Sequence, residues 1–227
     1  MNNSTLALIY VTCVISALPC GFAFAGFNQA GLILEKQLNL SPTQMALITS
    51  AGVVGPAFGS LSAARFMVLG RKWVALFASA LVALSTVPMM FPYVFTFVIG
   101  RFLLGFGTGL AICACSTWMA ETVPTNQIWI VGTSVNFGCN LGLLMSQLVQ
   151  GLSLPSIDSE EALTTDSYRV GFLAPAFIAL TSFLLWQFYI REESLHYLID
   201  TKQIERAEAL HSRFFPSAPA DTIKTLA

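Results

Sequence analysis

Arg101 is the residue whose position most needs explaining. It stands in the run Gly100-Arg101-Phe102-Leu103-Leu104-Gly105-Phe106-Gly107-Thr108-Gly109, the only charge between positions 73 and 120. Counted from Pro92 it lies about eight residues along, roughly 12 Å at about 1.5 Å per helical residue. A guanidinium that deep in lipid is costly, so a polar cavity and a partner are the default expectation. The alternative is a side chain that snorkels back to the interface. A second group is made of amides. At about 100° per residue, Asn136, Asn140, Gln147 and Gln150 fall within roughly 80° of one another. Carboxamides both donate and accept hydrogen bonds, which suits a neutral polyhydroxylated solute; hydrogen bonding between helices without a ligand would also explain them. In Gly26-Phe27-Asn28, Asn28 lies about seven residues short of Glu35, at the depth of Arg101. Depth alone makes the two candidate neighbours.

Other chemistries lack their residues. The two histidines, His196 and His211, fall in the charged tail, at a spacing that suits neither metal ligation nor a triad. Cys13, Cys20, Cys113, Cys115 and Cys139 lie in apolar sequence and read as small packing residues. The glycines around Arg101 sit mid-helix rather than between strand and helix, so they form no phosphate loop. No catalytic group, metal site or cofactor is expected. Eleven Lys and Arg against 12 Asp and Glu give no basic excess for nucleic acid.

These groups need elements that cross a bilayer. Of the 227 residues, 55% are hydrophobic and 10% charged, too few charges for the shell of a soluble domain. Positions 1–34, 37–64, 73–100, 102–120, 122–157 and 170–190 are free of charge. About 20 apolar residues cross the hydrocarbon layer, and Pro88 with Phe91-Pro92-Tyr93 marks a turn. Six spans are expected near 6–30, 43–63, 73–91, 93–118, 128–150 and 170–190. The first reads as a retained span rather than a cleaved signal, because no basic residue precedes it. Eight Lys and Arg fall in the loop 64–72 and the tail 191–227, against Lys36 and Arg169 on the other face. That bias puts both termini in the cytoplasm. Gly55-x-x-x-Gly59, Gly105-x-x-x-Gly109 and Gly138-x-x-x-Gly142 predict close helix contacts. The fold class is all-α integral membrane: a six-helix bundle over 1–190, then an amphipathic helical tail near 192–211 with Leu195, Leu198, Ile199, Ile204, Ala207 and Leu210 on its apolar face.

The ordered motifs resemble the amino-terminal half of a sugar porter of the major facilitator superfamily. Gly26-Phe27-Asn28 is similar to the family's Gly-aromatic-Asp/Asn of helix 1, and Gly70-Arg71-Lys72 to its Gly-Arg-Arg/Lys between helices 2 and 3. The run from Gly100 to Gly109 resembles its helix 4, and Glu121-Thr122-Val123-Pro124 the Glu-x-x-Pro after it. Asn136 stands where the family usually has a sugar-contacting Gln. Tyr168-Arg169 resembles the Trp-Arg before helix 6, and Glu193-Ser194 the centre of the motif after it. Departures are Ala63, Met67, Ser116, Trp118, Ile128, Trp129, Glu192, Leu195 and His196, which remove several partners from the family's cytoplasmic charge network.

The resemblance implies transport of a small neutral solute, a hexose or related sugar, by alternating access in the plasma membrane. Asn136, Asn140, Asn28 and Gln147 are then the expected substrate contacts. Arg101, Arg71, Lys72, Glu121 and Glu193 form the expected gating network, weakened by the departures. Proton-coupled members carry Asp at the position of Asn28; an amide cannot titrate, which favours facilitated diffusion over proton symport. The superfamily has twelve helices. The chain is therefore expected as a half or fragment, pairing with a second six-helix half or with itself. A non-transporting, regulatory six-span protein is the alternative.

Overall fold

Proline, glycine and short polar segments divide the apolar sequence into rods. The computed structural model describes residues 3–124, 127–154, 168–190 and 192–214. The helices are α1 (Asn3–Ala25), α2 (Asn28–Leu38), α3 (Pro42–Phe66), α4 (Arg71–Met89), α5 (Val94–Thr122), α6 (Ile128–Ser153), α7 (Tyr168–Phe188), α8 (Leu195–Asp200) and α9 (Ile204–Phe214). Six of them, α1 and α3 to α7, are long and apolar enough to cross a membrane. The α3 start is a capping box: Ser41 Oγ accepts from the Gln44 amide, and the Gln44 side chain accepts from the Ser41 amide.

Close packing follows the glycine pattern. The helix pairs α1–α6, α3–α5, α4–α5 and α4–α7 form the main contacts. A Cβ on Gly138 or Gly142 would stand 2.5 or 2.1 Å from the Val14 or Leu18 carbonyl oxygen of α1. Gly55 and Gly59 meet the α5 backbone at Phe102 and Phe106, while Gly105 and Gly109 meet Pro56 of α3. Backbone thus touches backbone at three motifs, the contact that drives helix association in lipid. Buried hydroxyls tie a second seam. Ser16 and Ser182 lie 2.8 Å apart, Ser79 and Ser182 3.2 Å, and Trp186 Nε1 donates to Ser16 Oγ at 2.9 Å.

Two expectations are corrected. The first span does not run unbroken to position 30: α1 stops at Ala25 and α2 restarts at Asn28, because side-chain hydrogen bonds enter the ladder there. The tail is two helices rather than one over 192–211. Lys202 adopts φ 58° and turns the chain between α8 and α9. Its apolar face still reaches the core, where Leu198, Ala207 and Leu210 are buried. Arg191 and positions 216–227 lie outside the described residues.

Candidate functional site

Three clusters hold the polar side chains singled out by the sequence. The first surrounds Arg101, in the first third of α5. Its side chain is 2% exposed and does not snorkel. Gly52 of α3 makes room for it: a Cβ there would lie 2.5 Å from the guanidinium. Its Cζ sits 5.0 Å from the centroid of the Phe27 ring, a cation–π contact. Among the described residues no carboxylate forms an ion pair with it, and Nε is buried without a hydrogen-bond partner. The expected neighbour was Asn28; the ring that meets Arg101 is Phe27, because the helix break turns Phe27 inward and leaves Asn28 exposed.

The second cluster is the amide strip of α6, and the structure divides it. Asn136 and Asn140 are exposed and Gln147 is half-buried. Asn140 Nδ2 donates to the Asn136 carbonyl at 2.8 Å, so one amide proton is used within the helix. Gln150, at the edge of the strip, is buried. Its Oε1 accepts from the amides of Gln29 and Ala30, both at 3.1 Å. Its Nε2 donates to the Ala25 carbonyl at 3.0 Å. Gln150 therefore ties helices together, as the ligand-free alternative for the strip required. Asn136 and Asn140 remain on the outer surface, with Gln147 half-buried beside them.

The third cluster lies at the Lys/Arg-rich end. Arg71 forms a salt bridge with Glu121, Nη2 to Oε1 at 2.8 Å and Nε to Oε1 at 3.2 Å. The other oxygen of Glu121 accepts from Ser194 Oγ. Glu193 accepts from the amides of Lys72 at 2.9 Å and Trp73 at 3.3 Å, capping the first turn of α4. Gly70 has φ 114°, and a Cβ there would lie 2.6 Å from the Glu193 carboxylate. Tyr197 packs over Arg71 at 5.6 Å and donates to the Leu69 carbonyl at 3.4 Å. Burial pushes the Glu193 carboxyl above its ordinary value, while the amides of Lys72 and Trp73 pull the other way. Arg71, Lys72, Glu121 and Glu193 are thus brought to one place, with Ser194 and Tyr197 added.

Sequence reasoning missed the role of Gln150 and of Phe27. The signal for Gln150 was its place at the strip's edge, nearest the face that packs on α1. Phe27 had its place in the motif but no visible charge partner.

A profile of the sugar (and other) transporter family matches residues 4–224. The chain belongs to that family. It is 34% identical over 147 residues to a gallate transporter of Pseudomonas putida, covering 61% of this chain and 32% of the relative. It is 30% identical over 222 residues to the human proton myo-inositol cotransporter, covering 93% and 32%. Among solved structures, the proton:xylose symporter XylE bound to 6-bromo-6-deoxy-D-glucose superposes with TM-score 0.85 at 21% identity, over 100% of this chain and 52% of that one. A partially occluded inward-open conformation of XylE from E. coli gives 0.86 at 21%, over 97% and 58%. The six-helix bundle is the amino-terminal half of a major facilitator fold, and the chain is an integral, multi-pass membrane protein. It spans about a third of the length of the curated relatives it matches.

Proposed function

We propose that this bundle is the amino-terminal half of a transporter moving a small neutral solute, a hexose or related sugar, by facilitated diffusion. The observation that carries the reading is the exposed amide strip. Asn136 and Asn140 keep donors and acceptors on the outside of a helix that also exposes the apolar Phe137, Leu144, Leu148 and Leu152, while the exposed Thr133 hydroxyl donates back to the Ile130 carbonyl. Amides on a lipid-facing surface would be left unsatisfied, so this side of α6 faces a water-filled path, closed by a second six-helix half or a second copy. Asn28 and Gln147 complete the expected contacts. The basic face is cytoplasmic by the positive-inside rule, in the plasma membrane. There the Arg71–Glu121–Ser194 cluster and Glu193, which caps the start of α4, act as the gate.

Asn28 carries no titratable proton, and Arg101 has no carboxylate partner among the described residues, so uptake runs without proton coupling. Proton symport is the second reading, favoured by the similarity to the human proton myo-inositol cotransporter and to the proton:xylose symporter XylE. Labelled hexose uptake is measured for the chain alone and as part of a twelve-helix product. Uptake by either that is flat between pH 5.5 and 8 on the order of a few-fold, with no proton current, supports diffusion; solute-driven alkalinisation supports symport. Asn136→Ala is expected to lower uptake about tenfold, about 1.4 kcal/mol, with normal membrane insertion.

A further inference from the structure

α1 and α2 form one rod broken at Gly26-Phe27, and a single side chain from α6 occupies the break. In an unbroken helix the Ala25 carbonyl accepts from the Gln29 amide. Here the Gln150 carboxamide stands between them. Nε2 donates to Ala25 O at 3.0 Å, and Oε1 accepts from Gln29 N and Ala30 N at 3.1 Å each. Nε2 also reaches Ser146 on its own helix, Oγ at 3.2 Å and the carbonyl at 3.3 Å. A side chain inserted in the ladder is a recognised cause of a sharp kink. Gln150 is 1% exposed.

We propose that Gln150 is a withdrawable wedge, a positioning residue that switches α2 between two orientations. With the carboxamide inserted, the rod is bent. With it withdrawn, Ala25 O and Gln29 N bond directly, as do Gly26 O and Ala30 N, and α2 falls in line with α1. The Ala25 carbonyl and the Gln29 and Ala30 amides have a partner in both states, and Gln150 Nε2 keeps Ser146 when withdrawn. These three backbone groups therefore exchange one partner for another rather than lose it, which a bistable element requires. The cluster that receives α2 contains Met45, Met89 and Met90, unbranched side chains that repack readily.

The switch reaches Arg101. Phe27 lies at the break, its ring 6.4 Å from Phe172 and 5.0 Å from the Arg101 guanidinium. Straightening the rod rotates Phe27 away and uncovers the guanidinium that its ring now covers. If the transporter reading holds, α2 is a local gate that bares Arg101 in one state. The wedge itself needs no transport to be observed.

The test uses the full chain in lipid nanodiscs, with spin-labelled noncanonical residues at Leu32 and Leu144, both exposed, so the native cysteines stay. The wild type is expected to show two separations. Gln150→Leu should leave only the in-line one. Gln150→Glu should regain the bent one at acid pH, where its carboxylic acid donates and accepts as the amide does, and lose it at neutral pH. A single wild-type separation that Gln150→Leu leaves unchanged overturns the proposal. If Gln150→Leu does not fold, a Gln150→Glu distance that ignores pH overturns it equally. Absent uptake, with these shifts present, would count against the transport reading alone.

Discussion

Arg101 lies where no carboxylate meets it among the described residues, packed against one aromatic face and into the gap that Gly52 leaves. Replacing a buried charge by an apolar side chain of similar volume is often neutral or stabilising. Arg101→Met is therefore expected to leave the thermal midpoint equal or higher while lowering uptake at least about tenfold; a drop in both would assign Arg101 to folding only. Asn28→Asp is expected to make uptake pH-dependent, read as a proton current absent from the wild type. Glu193 supplies the third residue-scale prediction. Its carboxyl is held above about 4.5 by burial in the folded chain. Its contribution to stability is thus fully present below about 4.5 and is lost as pH rises through the raised value. The thermal midpoint of the wild type should fall, relative to Glu193→Gln, over that rise. At this scale the sequence revealed that a cation sat deep in a span, since depth is counting. It did not reveal Phe27 as the contact, since that depends on a break created by a side chain about 120 positions away.

Helix pairing was legible from small residues, because backbone contact in lipid requires them whatever the surrounding sequence. The break and the split tail were not. Both depend on single local events: the insertion of Gln150 between Ala25 and Gln29, and the positive φ of Lys202. Periodicity continues across each, so hydropathy reads one element where there are two. The packing account separates two glycines of α6. Gly142→Ala drives a Cβ toward the Leu18 carbonyl, 2.1 Å away, and backbone cannot rotate aside. It is expected to cost about 1–3 kcal/mol. Gly132 has nothing within 4 Å of its Cβ position, so Gly132→Ala should be neutral or stabilise by about 0.5–1 kcal/mol through helix propensity. Thermal unfolding in detergent compares the two; equal effects would contradict the packing account.

Over the whole molecule, the scarcity of charge dictated a membrane bundle before any motif was read. The outward face bears this out in kind: Val53, Phe58, Leu61, Leu84, Phe95 and Leu152 are all exposed, as lipid or a second half requires. The same surface interrupts itself with Asn136 and Asn140. In the proposed reading the six helices supply one side of a path, and the twelve-helix architecture of the superfamily supplies the reason for a second side. The shared outward face of Asn136 and Asn140 could be drawn from a helical wheel, while the inward turn of Gln150 needed the position of α1. The most direct test of the central claim is thiol labelling of Asn136→Cys and Asn140→Cys with a membrane-impermeant reagent, in the chain assembled with its complementary half. The account predicts rapid modification at both positions that a transported sugar slows. Positions sealed from the reagent in every condition, while a cytoplasmic control such as Lys202→Cys reacts in inside-out vesicles, would contradict it.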